Sequence, residues 1–359
     1  MNIKSLLIGS AAALVAVSGA RAADAIVAAE PEPVEYVRVC DAFGTGFFFI
    51  PGTETCLNIN GYVRFRVTAT NGTAGYTQNT RARINFDARS ETEMGTLQGY
   101  IRLQSNSGNV AGRDTAVVTD QAVLRLGGLF MGYTESAFAA LYGGGVGNWG
   151  FIQTDTGGVY GYQQRQQIGY RYDAGAFYAA LVLEHDSNPT GNWAPDVVGV
   201  LGVTQGWGGA FVHLGYDETS KATGVKAGVE LAVAATGGSV RLGGFYSNKV
   251  SNAYSAGMPG GTGSVGTTTA EAANWSAAIG YTQDITETVN ATIGYQYFDG
   301  FSVANAGTIK NAHLVEGAIS WTPVTNFNVR LEGNYGQQTS HAGVKTTTSS
   351  GFVWVRRSF

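Results

Sequence analysis

The stretch Thr80-Arg81-Ala82-Arg83-Ile84-Asn85-Phe86-Asp87-Ala88-Arg89 sets charged or amide side chains at every second position. In an extended strand, side chains point to alternate faces, so Arg81, Arg83, Asn85, Asp87 and Arg89 share one face. Ala82, Ile84, Phe86 and Ala88 share the other. Guanidinium groups stay charged and present a fixed fork of donors, which suits them to shaping a field along a surface. Alternation alone leaves the orientation open. A soluble sandwich turns its polar face outward, whereas a membrane barrel turns its apolar face to lipid and its charged face to a watery lumen.

The same spacing recurs in neighbouring segments. If apolar positions meet lipid, Tyr62, Arg64 and Arg66 lie inside, with Val63, Phe65 and Val67 outside. Likewise Gln98, Tyr100, Arg102 and Gln104 oppose Ile101 and Leu103, Arg125 falls between Leu124 and Leu126, and Arg165, Gln167 and Arg171 oppose Ile168, Tyr170 and Tyr172. The expected basic wall therefore comprises Arg64, Arg66, Arg81, Arg83, Arg102, Arg125 and Arg165. The competing reading is a row of solvated charges on an ordinary strand face.

The segment Glu135–Tyr162 holds only two acids, Glu135 and Asp155, among Gly143-Gly144-Gly145, Gly147, Trp149, Gly150, Phe151, Gly157 and Gly158. Such glycine density permits tight bends. Folded into a channel, the segment would set Glu135 and Asp155 against the arginines and create a transverse field at a narrow point. A flexible external loop is the alternative. Trp149, Tyr160 and Tyr162 would suit an aromatic track for a sugar, although aromatics in a membrane barrel more often form the interface girdles.

Signals for other chemistry are weak. His185, His213, His313 and His341 are scattered, with no H-E-x-x-H and no close pair, so no metal site is expected. The glycine triplet lacks the Gly-Lys-Ser/Thr of a phosphate loop, and no G-x-S-x-G elbow is present. No catalytic group and no cofactor are expected. The formal charge of −4 is too small to imply a nucleic-acid partner.

The elements that must position these residues are strands and turns. Gly (52) far outnumbers Pro (7), and charged residues are only 13% of the 359. Residues 1–22 carry Lys4, an apolar run from Leu6 to Val17 and Ala20-Arg21-Ala22, the pattern of a cleaved secretory leader. An anchor helix is the other reading, but about 12 apolar residues are too few to span a bilayer core. Residues 23–55 form a lead-in that holds Cys40; a disulfide to Cys56 is expected in an exported chain, against two free thiols. Residues 56–359 form the barrel.

Period-two patterning yields about 16 strands, from Cys56–Thr70 to Ser349–Phe359. Their connections alternate short and long: tight turns such as Gly127–Gly128, Asp173–Gly175 and Thr322–Thr325 face long segments such as Asn106–Thr119, Glu135–Tyr162 and Lys249–Ala273. That strict alternation predicts an all-β transmembrane antiparallel barrel of about 16 strands with an inward-folded third loop, wide enough for an aqueous channel. The terminal Phe359, with Val353 and Val355 on its face, resembles the signal by which outer-membrane barrels are recognised for insertion, although Arg357 stands where that signal has an apolar residue.

Specific segments carry a wider resemblance. Val34-Glu35-Tyr36-Val37-Arg38-Val39-Cys40-Asp41, Ile50-Pro51-Gly52-Thr53-Glu54-Thr55-Cys56, Gly61-Tyr62-Val63-Arg64 and the ending Arg357-Ser358-Phe359 resemble the alphaproteobacterial general porins of rhizobial and Brucella type. The likeness runs from leader to last residue and is most specific near the N-terminus. It implies a homotrimer of 16-stranded barrels in outer-membrane lipid, each constricted by its third external loop, admitting small hydrophilic solutes and ions. The function expected is passive general diffusion, with a substrate-specific channel as the alternative. An outer-membrane enzyme and a soluble secreted β-protein are the remaining alternatives.

Overall fold

The computed structural model describes residues 38–72, 75–107, 116–185, 194–250, 252–255, 273–301 and 309–359. The expected leader at residues 1–22 lies outside the described residues. The alternating segments form sixteen long strands: β1 (Cys56–Thr70), β2 (Tyr76–Ser90), β3 (Leu97–Ser107), β4 (Val118–Leu126), β5 (Leu129–Glu135), β6 (Gln164–Ala174), β7 (Phe177–Glu184) and β8 (Asp196–Gln205). The second half continues with β9 (Gly208–Asp217), β10 (Ala222–Val233), β11 (Gly238–Ser247), β12 (Trp275–Asp284), β13 (Val289–Asp299), β14 (Ile309–Val324), β15 (Phe327–Ser340) and β16 (Lys345–Ser358).

Each strand pairs antiparallel with the next, and β16 returns to β1 with Phe352 opposite Thr68 and Arg356 opposite Arg64. The sheet closes on itself. Closure removes the unpaired edge that an open sheet would expose, which is a requirement in lipid. Phe359 completes the seam, exchanging two backbone hydrogen bonds with Gly61, each 3.0 Å long.

Turn chemistry separates the two rims. Two-residue connections occur at Gly127-Gly128, Gly175-Ala176, Gly206-Trp207 and Thr325-Asn326. Gly127, Gly175 and Asn326 adopt φ of 56°, 69° and 64°, which supplies the twist that tight hairpins need. The opposite rim carries the long connections, among them residues 136–163 and 248–274. Some strands run further than the alternation suggests. β2 starts at Tyr76, β15 reaches Ser340 and β16 begins at Lys345, because ladder bonds such as those between Gln337 and Thr347 continue where both faces are polar. Glu135 ends β5 opposite Gln164 and so belongs to the ladder, where the sequence suggested the start of a loop.

Burial in the wall is inverted relative to a soluble fold. On β6, Ile168 and Tyr170 are 45% and 56% exposed while Arg165 is 5% exposed. Val63, Phe65, Ile101, Leu181 and Ile293 are exposed in the same way, and Arg64, Asp87, Gln98, Gln121, Lys226 and Glu332 are buried. Apolar side chains thus form the outer belt, which suits hydrocarbon as its solvent.

Ahead of β1, the expected disulfide is present between Cys40 and Cys56. A single turn at Asp41–Phe43 and a two-residue strand, Phe48–Phe49, fold back on Cys56 and Leu57. Phe47 is buried with the two cysteines, and Phe43 and Phe49 pack against that cluster.

Candidate functional site

β1 to β4 carry arginines on the shielded face in close register. Arg64 stands opposite Arg81, Tyr62 opposite Arg83 and Asn85 opposite Arg102. Like charges side by side repel, so each guanidinium needs an acceptor of its own. Arg81 Nε donates to Asn106 Oδ1 at 2.7 Å. Arg83 donates to Gln104 and lies 3.3 Å from Asp120, while Arg102 donates to Asn85 Oδ1 at 3.0 Å and lies 3.7 Å from the same Asp120. Arg66 donates to Thr68 at 3.1 Å and stacks on Phe352, and Arg125 donates to the Gly127 carbonyl at 2.7 Å. The side chains of Arg66, Arg83 and Arg102 keep 29%, 20% and 23% exposure, so solvent reaches this row.

Two of the expected wall residues are engaged differently. Arg64 is buried and its Nη1 lies 3.1 Å from Asp155 Oδ2, so that acid pairs directly with the arginine row. Arg165 is enclosed by Asp196 at 3.1 Å, Glu184 at 3.7 Å and the Gln163 amide oxygen at 2.8 Å. A buried ion pair so fully satisfied organises its surroundings and offers little free charge. Glu135, the other expected acid, accepts a hydrogen bond from Trp149 Nε1 at 3.0 Å.

Residues 136–163 bind the remaining strands through polar side chains that parity places on the same face. Glu184 of β7 accepts from Ser136 Oγ and from the Ala137 N–H at 2.7 Å. Lys226 of β10 donates to the carbonyls of Ala139, Gly147 and Trp149 at 3.0, 2.6 and 2.5 Å, matching three ammonium hydrogens to three acceptors. His213 Nδ1 lies 2.9 Å from the Phe138 carbonyl. Farther round, Gln296 of β13 pairs with both backbone groups of Val159, Glu316 of β14 accepts from Thr154 and Gly158, and Glu332 of β15 accepts from Asp155, Thr156 and Arg330. Apolar anchors accompany them: Phe138, Leu141 and Phe151 join Tyr178, Phe211 and Phe245 in one cluster. Burial pushes the Tyr142 and Tyr162 phenols up to about 12, so both stay protonated, and Tyr142 donates to Gln98 Oε1 at 3.2 Å.

The sequence reading named the arginines but missed Asp120, Lys226, Glu184, Gln296, Glu316 and Glu332. Parity would have found the buried acids, because Glu184, Glu316 and Glu332 each follow an outward apolar residue, Leu183, Val315 and Leu331.

A closed sixteen-stranded wall that is apolar on its outer face and carries its arginines on the shielded face has the architecture of a transmembrane β-barrel. Residues 24–353 match the family model described as porin subfamily. Porin Omp2b of Brucella neotomae is 36% identical over 335 residues, covering 85% of this chain and 91% of that one. Among solved structures, the outer-membrane channel DcaP of Acinetobacter baumannii superposes with a TM-score of 0.68 at 14% identity, covering 87% of this chain and 99% of that one. OmpT of Vibrio cholerae in its trimer form gives 0.56 at 10% identity, with 86% and 100% covered. The chain belongs to the porin subfamily, and its function is that of a general porin, a non-enzymatic channel of the bacterial outer membrane.

Proposed function

We propose that residues 136–163 lie within the barrel and narrow it, so that small hydrophilic solutes and ions pass between that segment and the arginines of β1–β4. One observation carries this reading. The segment's backbone is bound by side chains from β7 round to β15, while Arg66, Arg83 and Arg102 on the opposite arc keep access to solvent. An aqueous passage fits a barrel of this strand number, which is too wide for side chains to fill. Arg64, Arg66, Arg81, Arg83 and Arg102 supply a fixed positive field there, and Glu135 and Asp155 stand at its margin. Arg125 lies toward the short-turn rim, and Arg165 supports the segment instead of facing the passage.

The barrel assembles as a homotrimer embedded in outer-membrane lipid. Support comes from the trimer form of OmpT and from the apolar outer belt. Residues 23–55 act as a disulfide-tied lead-in to the barrel after export.

Planar-bilayer recording tests the passage. Purified protein should open in uniform steps in salt, and no single sugar should block the current saturably. Replacing Arg81 and Arg83 together by Glu should move the reversal potential in a salt gradient toward cations. An unchanged value would remove both residues from the conducting wall.

A further inference from the structure

Two long connections meet at one buried tyrosine. Tyr254, from connection 248–274, is wholly buried. Its ring lies against Gly215 on β9, and its backbone carbonyl and Cβ lie against Gly224 on β10, so a Cβ at either glycine would strike Tyr254. The ring centroid is 5.2 Å from that of Phe138, and the Arg165 guanidinium sits 5.6 Å away. The phenol donates to Glu184 Oε2 at 3.0 Å and lies 3.2 Å from Asp196 Oδ2.

Those partners also hold the start of the 136–163 segment. Glu184 is the acceptor for Ser136 Oγ and the Ala137 N–H, so one carboxylate joins Tyr254 to the segment's first residues. At the other end, Gln163 Nε2 donates to the carbonyl of Ala253, the neighbour of Tyr254, at 3.0 Å. The Ser136 N–H donates to the Gln163 carbonyl at 2.9 Å, which ties the two ends together. Residues 253 and 254 therefore touch both roots of the segment, while Ala253 N–H is itself anchored on Asp217 at 2.8 Å. Burial, and then the Glu184 charge, push the Tyr254 pKa far up, so the hydroxyl remains a donor across the pH range of the cell surface.

We propose that Tyr254 is a positioning residue of the channel: through Glu184 and Phe138 it latches the first root of the 136–163 segment to the wall, and by seating Ala253, whose carbonyl holds Gln163, it steadies the second, so that residues 252–255 set the aperture. This rests on the reading of 136–163 as the constriction. Tyr254 touches no permeating solute. It acts through Glu184 and Phe138.

Single-channel recording of Tyr254→Phe, Tyr254→Ala and Asp155→Trp, each first shown to migrate as a folded barrel on unheated gels, separates the two ideas. Tyr254→Phe keeps the ring seated and loses only the donor; its open-channel noise should rise severalfold at unchanged gel mobility. Tyr254→Ala should show larger noise and close at lower voltage. A general loss of barrel stability would shift the melting transition without adding noise at the recording temperature. Wild-type noise and conductance in both variants would overturn the latch, and if Tyr254→Ala does not fold, Tyr254→Phe alone decides. Asp155→Trp reports on the constriction itself. Unchanged conductance there sinks that reading, whereas reduced conductance beside quiet Tyr254 variants sinks only the latch.

Discussion

Asp155 is the only acid between residues 136 and 163, and its carboxylate lies 3.1 Å from Arg64 and 4.0 Å from Arg66. Removing that charge leaves the arginines without their nearest counter-ion on this segment. Asp155→Asn should therefore move the reversal potential toward anions, opposite to the Arg81/Arg83 double variant. The shift should shrink in strong salt, because the screening length falls from about 10 Å at 0.1 M to about 3 Å at 1 M. A shift of the same size at both concentrations would mean that Asp155 acts through structure and not through its field. The row of arginines was legible in the sequence because Arg81, Arg83 and Arg102 alternate with apolar neighbours. Their partners were not, since Asn106, Gln104 and Asp120 reach them only across strands.

At the scale of elements, small residues in the wall matter as much as charged ones. On the shielded face, Gly228 of β10 and Gly243 of β11 leave room for the Phe151 ring, and a Cβ at either would collide with it. Gly294 of β13 makes the same room for Ile152. Here glycine is needed for space, and these strands accept its lower β-propensity in exchange for a seat. Gly243→Val should force Phe151 from that seat, at a cost of about 1–3 kcal/mol as for other overpacked sites. The melting midpoint in detergent should fall and the conductance should change. Gly99→Ala on β3, where a Cβ meets nothing within 4 Å, should melt like the parent. Equal melting of the two variants would show that Phe151 is not seated there. Strand existence was readable from period-two patterning, but the polar ends of β2, β15 and β16 carried no apolar alternation to mark them.

At the scale of the whole molecule, the wall presents an apolar belt to lipid and a charged surface to its interior. A homotrimer predicts that native mass spectrometry from mild detergent yields three copies, with a transition to single copies on heating. A monomer throughout would remove the trimer while leaving the channel intact. Amino-acid order alone determined the strand number, the two faces of each strand, the short and long rims and the residues of the disulfide. All of these depend on neighbours a few positions apart: pleat parity, turn chemistry and cysteine spacing. Tertiary structure alone decided that Asp155 meets Arg64, that Arg165 is enclosed by Glu184 and Asp196, and that Tyr254 reaches the carboxylate that holds Ser136. These pairs join distant parts of the chain. Residue type and parity tell which face a side chain occupies, but closure and stagger of the barrel determine what it meets across the interior.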